Sequence, residues 1–209
     1  MKFNLQGLYG ITDSDLMPDT ETMLRKVEQS IQGGAKIIQY RDKSSDLKKR
    51  VEQASALNLI CKKNKIPLII NDDAGLAAGI GAAGVHLGQS DGAIEEAREM
   101  LGEDAIIGVT CHDSLELALK AQQAGASYLA FGAFFPSKTK PNAKPAPLSL
   151  VKDVKDKVNL PIVAIGGISV DNADQIVTAG ADMVAVIHAL YANKKVTAAA
   201  KQFHQLFTN

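Results

Sequence analysis

Five charged residues set in short polar segments carry most of the chemistry open to this chain. Arg41 and Lys43 stand in QYRDK, Lys140 in PSKTK, Asp72 in NDD and Asp91 in GQSD. Cations gathered at one place bind an anion such as a phosphate, Arg as a flat fork and Lys as a point charge. Two carboxylates in neighbouring loops can hold one Mg²⁺, an ion that keeps several waters and bridges to substrate phosphate oxygens. Each residue also has a plainer use. Lys43, in RDKSSD, can solvate a loop, and Asp72, Asp73 or Asp91 can cap a helix N-terminus. The chain balances 23 Lys and Arg against 23 Asp and Glu. That balance argues against a nucleic-acid binder working through bulk charge, so any anion affinity must be local.

Other polar residues are weaker signals. Gly166-Gly167 and the start of IHAL (187–190) can offer backbone N–H groups to a phosphate. Cys111 beside His112 suggests a thiol nucleophile, but adjacent strand residues point to opposite faces. Cys61 lies on an apolar helical face and reads as core. His86 has apolar neighbours and reads as a satisfied interior residue, and Tyr128 and Phe131 read as packing. Two cysteines make no disulfide framework. No apolar run approaches the roughly 18–20 residues that cross a bilayer, and the N-terminus MKFNLQGLYGITD lacks the apolar centre of a secretion signal. A cytoplasmic protein is the expectation.

These residues must be positioned by something, and the apolar pattern says what. Eight strand-like runs recur: 8–12, 36–41, 67–71, 84–88, 105–110, 127–132, 161–167 and 182–187. Between most of them lie helical periodicities. Met23, Leu24, Val27 and Ile31 share one face, Ala54, Leu57 and Cys61 another, and Ala199, Phe203, Leu206 and Phe207 a last one. Thr20 is the expected cap of the first helix and Gly33-Gly34 its end. Several strands follow a Gly-Ala pair, in GGAKIIQ, GAAGVHL, AGASYLA and AGADMVA. A two-strand unit of roughly 45–50 residues, met about four times, predicts an α/β fold: a (β/α)8 TIM barrel forming a single catalytic domain over residues 1–209. An open doubly wound sheet is the alternative, but no G-x-G-x-x-G follows the first strand.

In such a barrel the active site lies at the C-terminal ends of the strands. The unusual polar residues fall there: Gln39, Arg41 and Lys43; Asn71, Asp72 and Asp73; His86, Gln89 and Asp91; Thr110; Ser137, Lys138, Thr139 and Lys140; Gly166 and Gly167; Ile187 and His188. The pattern predicts two anion sites, one metal-assisted near strands 2 to 4 and one on backbone near strands 7 and 8. The segment FFPSKTKPNAKPAP (134–147) lies between them, and loops of that length are usually functional or disordered.

At this point the chain resembles the thiamin phosphate synthase family over nearly its whole length. The matching stretches are LYGITD, QYRDK, NDDAGLA, GVHLGQSD, GVTCH, PSKTK, AIGGI and DMVAVIHAL. The resemblance implies a transferase that joins an aminopyrimidine methyl pyrophosphate to a thiazole phosphate and releases pyrophosphate. It implies that Gln39, Tyr40, Arg41, Asp42 and Lys43, with Asn71, Thr110 and Lys140, hold the pyrimidine and its pyrophosphate. It places Mg²⁺ on Asp72 and Asp91, and the thiazole phosphate on Ser137, Thr139, Gly167 and the Ile187–His188 backbone, with Lys138 also among the substrate-binding residues. Arg41, Lys43, Lys140 and Thr110 are the residues expected to act on the reacting groups. Thr110 stands where Ser is commoner, which keeps a hydroxyl. His188 stands where Ser is usual, which suits a phosphate held through backbone N–H and not one held by a hydroxyl. The sequence leaves the oligomeric state open, with a homo-oligomer among the options. A related barrel that isomerises a thiazole phosphate would need no pyrophosphate clamp, and a non-catalytic ligand-binding barrel would be expected to have lost some of these charges.

Overall fold

The computed structural model describes residues 3–136 and 145–208. Eight parallel strands close in sequence order, each pairing with the next and β1 with β8. The chain runs β1 (Gly7–Ile11), α1 (Thr20–Gln32), β2 (Ile37–Tyr40), α2 (Leu47–Lys63), β3 (Leu68–Asn71), α3 (Ala74–Ile80), β4 (Gly84–Leu87), α4 (Ile94–Leu101) and β5 (Ile106–His112). It continues with α5 (Leu115–Gln123), β6 (Tyr128–Phe131), α6 (Ser149–Lys155), β7 (Ile162–Ile165), α7 (Val170–Thr178), β8 (Met183–Val186), α8 (His188–Tyr191) and α9 (Val196–Gln205). This is the (β/α)8 barrel that the repeat predicts, with strand ends displaced by a residue or two.

Strand alternation divides the apolar residues into two cores. Tyr9, Ile37, Ile69, Ile106, Tyr128, Val163 and Met183 fill the barrel interior. Leu8, Ile38, Leu68, Ile70, Val85, Ile107, Leu129 and Val184 face the helices, where Met23, Val27, Ala54, Leu57, Cys61 and Phe203 meet them. Strands covered by helices outside and side chains inside are apolar on both faces, hence their unbroken hydrophobic runs.

The recurring Gly-Ala pair has a definite cause. After α1, α5 and α7 the chain passes through a left-handed glycine, Gly34 at φ 102°, Gly125 at 91° and Gly180 at 108°. The next residue's N–H then reaches back to the helix: Ala35 to Ser30 O at 3.0 Å, Ala126 to Ala121 O at 3.0 Å, and Ala181 to Ile176 O at 3.2 Å. This is the Schellman ending, which satisfies orphan carbonyls and turns the chain into the next strand. Small alanines fit because the position after each of these glycines is buried. The helix after β2 ends in the same way with Lys65 in the left-handed position, at φ 57°.

The cap of the first helix lies one residue before the expected position. Asp19, and not Thr20, accepts the N–H of Thr22, at 2.7 Å. On the same helix Lys26 Nζ donates to Leu16 O at 3.0 Å and to Tyr191 O at 2.8 Å, tying α1 to α8.

Candidate active site

The alternation that fills the barrel also decides which polar side chains reach its mouth. On β2, Ile37 faces inward, so Gln39 does too, and it is buried. Tyr40 must then face outward: it packs in the outer core, and its hydroxyl donates to Gln53 Oε1 on α2 at 3.0 Å. The resemblance counted Tyr40 among the substrate residues, but strand parity turns it away from the mouth. Asp42 is turned aside as well. Its carboxylate is 2 % exposed, pairs with Lys49 Nζ at 2.9 Å, and accepts the N–H of Ser44 at 2.7 Å. Burial alone would raise its pKa, but Lys49 and Ser44 outweigh burial and hold it below the usual value. Arg41 is anchored through its backbone, with its N–H donating to Thr12 Oγ1 at 2.8 Å. Lys43 is largely exposed and approaches Asp72 Oδ2 at 3.4 Å.

At the end of β3 the two aspartates that the sequence could not separate take different positions. Asp73 is the N-cap of α3: it accepts the N–H of Leu76 at 2.8 Å and pairs with Arg50 at 2.7 Å. Asp72 is left uncommitted to the helix and sits in the left-handed region at φ 63°, a conformation Asp tolerates better than most residues and one that recurs at functional sites. After β4, Asp91 is not the cap of α4, which begins after Ala93. Instead, its Oδ2 accepts the N–H of Gly88 at 2.8 Å. Asp72 and Asp91 are close enough for the charge of one to act on the other. Burial, then the Asp91 bond and charge, push the Asp72 carboxyl up, and Lys43 offsets part of this.

Two carboxylates crowded together with one exposed lysine hold an excess of negative charge, which a hard divalent cation would relieve. Among the described residues no cluster of three or more His, Cys, Asp or Glu side chains could hold a metal. A two-carboxylate site suits Mg²⁺, which fills its remaining positions with water and substrate oxygens. The residues therefore fit that ion.

The floor of the mouth is polar and connected. Gln39 Nε2 meets the Tyr9 hydroxyl at 2.7 Å, and the Tyr9 and Tyr128 hydroxyls are 2.8 Å apart. Tyr128 reaches His86 Nδ1 at 3.0 Å, and His86 Nε2 reaches Thr110 Oγ1 at 2.8 Å. Gln89 Nε2 closes over the end of β5 by donating to Thr110 O at 2.5 Å. Burial pushes His86 down to about 4, with Asp91 pulling weakly the other way, so the ring is neutral. The sequence did not single out Tyr9, and it read Tyr128 as packing and His86 as a satisfied interior residue. Their only signal was shared inward parity with Gln39 and Thr110, together with Gly108, where a Cβ would strike the Tyr128 ring.

Asn71 ends β3 on the inward parity, opposite His86 on β4. Gly166 and Gly167 both have positive φ, 100° and 64°, and a Cβ on Gly167 would collide with the Phe135 and Pro136 carbonyls. Phe135 N–H donates to Gly166 O at 3.0 Å, and Ala146 N–H to Ala133 O at 2.7 Å. The stems on either side of 137–144 are thus anchored beside the end of β7. Ser137, Lys138, Thr139 and Lys140 lie outside the described residues. Ile187 is half-buried at the end of β8, and His188 is exposed at the first position of α8. Cys111 faces the helices, fully buried, and burial pushes its thiol up to about 12, so it is no nucleophile.

A closed (β/α)8 barrel whose mouth gathers carboxylates, cations and a hydrogen-bonded polar floor defines an enzyme acting on small molecules. Comparison with known proteins narrows the class. The sequence profile described as thiamine monophosphate synthase matches residues 8–190. A thiamine-phosphate synthase of Saccharophagus degradans is 53% identical over 96% of this chain and 93% of its own length. One from Nitrosococcus oceani is 49% identical, covering 99% of this chain and 95% of the relative. Among solved structures, a thiamine phosphate pyrophosphorylase from Pyrococcus furiosus superposes with TM-score 0.87 at 33% identity, covering 98% and 96% of the two chains. A 3-hexulose-6-phosphate synthase, at 19% identity and TM-score 0.72, shares the fold alone. The chain belongs to the thiamine monophosphate synthase family, transferases of thiamine biosynthesis.

Proposed function

We propose that this chain joins an aminopyrimidine methyl pyrophosphate to a thiazole phosphate, giving thiamin phosphate and pyrophosphate, and that the reaction runs around Mg²⁺ held by Asp72 and Asp91. The observation that carries this reading is the Asp72–Asp91 pair beside Lys43, at the mouth that Gln39 and Thr110 floor. Bound there, Mg²⁺ would neutralise the charge that develops on the departing pyrophosphate. Arg41 and Lys43, joined by Lys140, face the same polyanion, a preorganised clamp of the kind that stabilises charge as it forms. The bond from the pyrimidine methylene carbon to the pyrophosphate oxygen breaks with its electron pair on oxygen. The electron-rich aminopyrimidine shares the positive charge left on carbon, and the thiazole nitrogen supplies the pair for the new C–N bond. No proton changes hands at the reacting atoms, so the protein's work is positioning and electrostatics.

In this reading Gln39, Asn71 and Thr110 hold the pyrimidine, while Ser137, Lys138, Thr139, Gly167 and the backbone at Ile187 and His188 hold the thiazole phosphate. Residues 1–209 act as one catalytic domain. A cytoplasmic location and any self-association rest on the sequence alone. The test is product formation from both substrates, with Mg²⁺ or with a chelator. Thiamin phosphate made only with Mg²⁺ is the expected result, and its absence from folded protein would remove the reading.

A further inference from the structure

Five polar side chains cross the barrel interior in single file, Gln39, Tyr9, Tyr128, His86 and Thr110, with 2.7, 2.8, 3.0 and 2.8 Å between successive polar atoms. Counting hydrogens gives the file a direction. Gln39 Nε2 can only donate, so the Tyr9 oxygen accepts there. The Tyr9 hydroxyl then has one hydrogen to place, it is buried, and the remaining partner described for it is the Tyr128 oxygen. Tyr128, having accepted from Tyr9, gives its own hydrogen to His86 Nδ1. Nδ1 must therefore be the bare ring nitrogen, so the ring hydrogen sits on Nε2 and is donated to Thr110 Oγ1. With Gln39 Nε2 toward Tyr9, reversing the file would make Tyr9 accept twice and strand its hydrogen in the interior, an uncompensated buried donor. A doubly protonated ring fails in the same way, and burial opposes it.

We propose that Tyr9, Tyr128 and His86 are positioning residues forming a one-way relay that sets what the two ends of the file offer a ligand. With Nε2 committed to Tyr9, Gln39 has its carbonyl oxygen left for the mouth. With Oγ1 receiving from His86, Thr110 has its own hydrogen left to give. One end is an acceptor and the other a donor. That pair matches a 4-aminopyrimidine, whose exocyclic amine donates and whose ring nitrogens accept. A 4-oxopyrimidine would set its oxygen against that of Gln39. The identity of the ligand rests on the proposed function, whereas the relay rests on the hydrogen count and on the Gln39 amide presenting Nε2 to Tyr9. Gly108 is part of the device, because a Cβ there would occupy the place of the Tyr128 ring.

Two measurements on the full chain test this. Long-range ¹H–¹⁵N correlation of the imidazoles distinguishes the tautomers, and His86 can be assigned among the four histidines with His86→Asn. The expected result between about pH 6 and 8 is a single Nε2–H tautomer in the wild type and a mixture in Tyr128→Phe. An Nδ1–H tautomer in the wild type overturns the relay. The second measurement is calorimetric affinity for the 4-amino pyrimidine pyrophosphate and its 4-oxo analogue. Tyr9→Phe frees the Gln39 amide to turn over, so the preference for the amino form should fall at least about 10-fold, with affinity for the thiazole phosphate unchanged. An undiminished preference in folded Tyr9→Phe overturns the specificity role. Failure of the wild type to bind either pyrimidine overturns the ligand assignment and the proposed function together, while the tautomer result still judges the relay.

Discussion

At the end of β3 the backbone passes through Asp72 at φ 63° before Asp73 caps α3, so two adjacent carboxylates acquire separate duties. Removing the cap should cost about 1–2 kcal/mol, or a Tm lower by about 2–8 °C for a chain of this size. Asp73→Ala is therefore expected to lower Tm while keeping the extra stability that bound Mg²⁺ confers by mass action. Asp72→Ala should do the opposite: a Tm close to wild type that no longer rises with Mg²⁺. Thermal melts with and without the ion decide it, and loss of the Mg²⁺ response in Asp73→Ala would undo the assignment. From the sequence either aspartate could have been the cap, because NDDAGLA offers both one residue apart. Only the turn geometry separates them. Tyr40 and Asp42 were misjudged for a related reason. QYRDK is a contiguous match, but a strand sends neighbouring residues to opposite sides, and the Asp42 carboxylate goes to Lys49.

Among the elements, the Schellman endings are the most regular feature, and one of them breaks the rule. Glycine occupies the left-handed turn after α1, α3, α5 and α7, whereas α2 ends with Lys65 at φ 57°. A left-handed non-glycine residue costs roughly 1–2 kcal/mol, and the greater freedom of glycine in the unfolded chain returns part of that. Lys65→Gly is expected to raise Tm by about 2–4 °C without altering activity, because the exposed turn lies at the end of α2, away from the mouth. A lower Tm in a calorimetric scan would show that the turn is not strained. The eight strands were legible because burial on both faces leaves unbroken apolar runs, and the Gly-Ala pairs marked where most of the even-numbered strands begin. The interior relay was not legible. Tyr9 and Tyr128 are 119 residues apart and meet only once the barrel has closed.

The molecule as a whole is neutral by formal charge, so its acid stability depends on individual carboxylates. Asp42 has a folded pKa below its unfolded value, with Lys49 and Ser44 overcoming the effect of burial. A depressed carboxylate stabilises the fold at pH above the unfolded value of about 3.9, and the benefit drains away as pH falls through the folded value. Asp42→Asn should therefore melt lower than wild type between about pH 5 and 8, with the gap narrowing below about pH 4. A gap that stays constant into acid would contradict the Lys49 pairing. The closure of β1 on β8 has a different consequence, one for the order of synthesis. At about 5–20 residues per second a ribosome needs roughly 10–40 s to make a chain of this length. β1, the first of the eight strands to be made, has its β8-facing edge unpaired until β8, the last of them, has been made. Before β8 is in place the sheet cannot close and has two open borders, so it is the last strand that does the sealing.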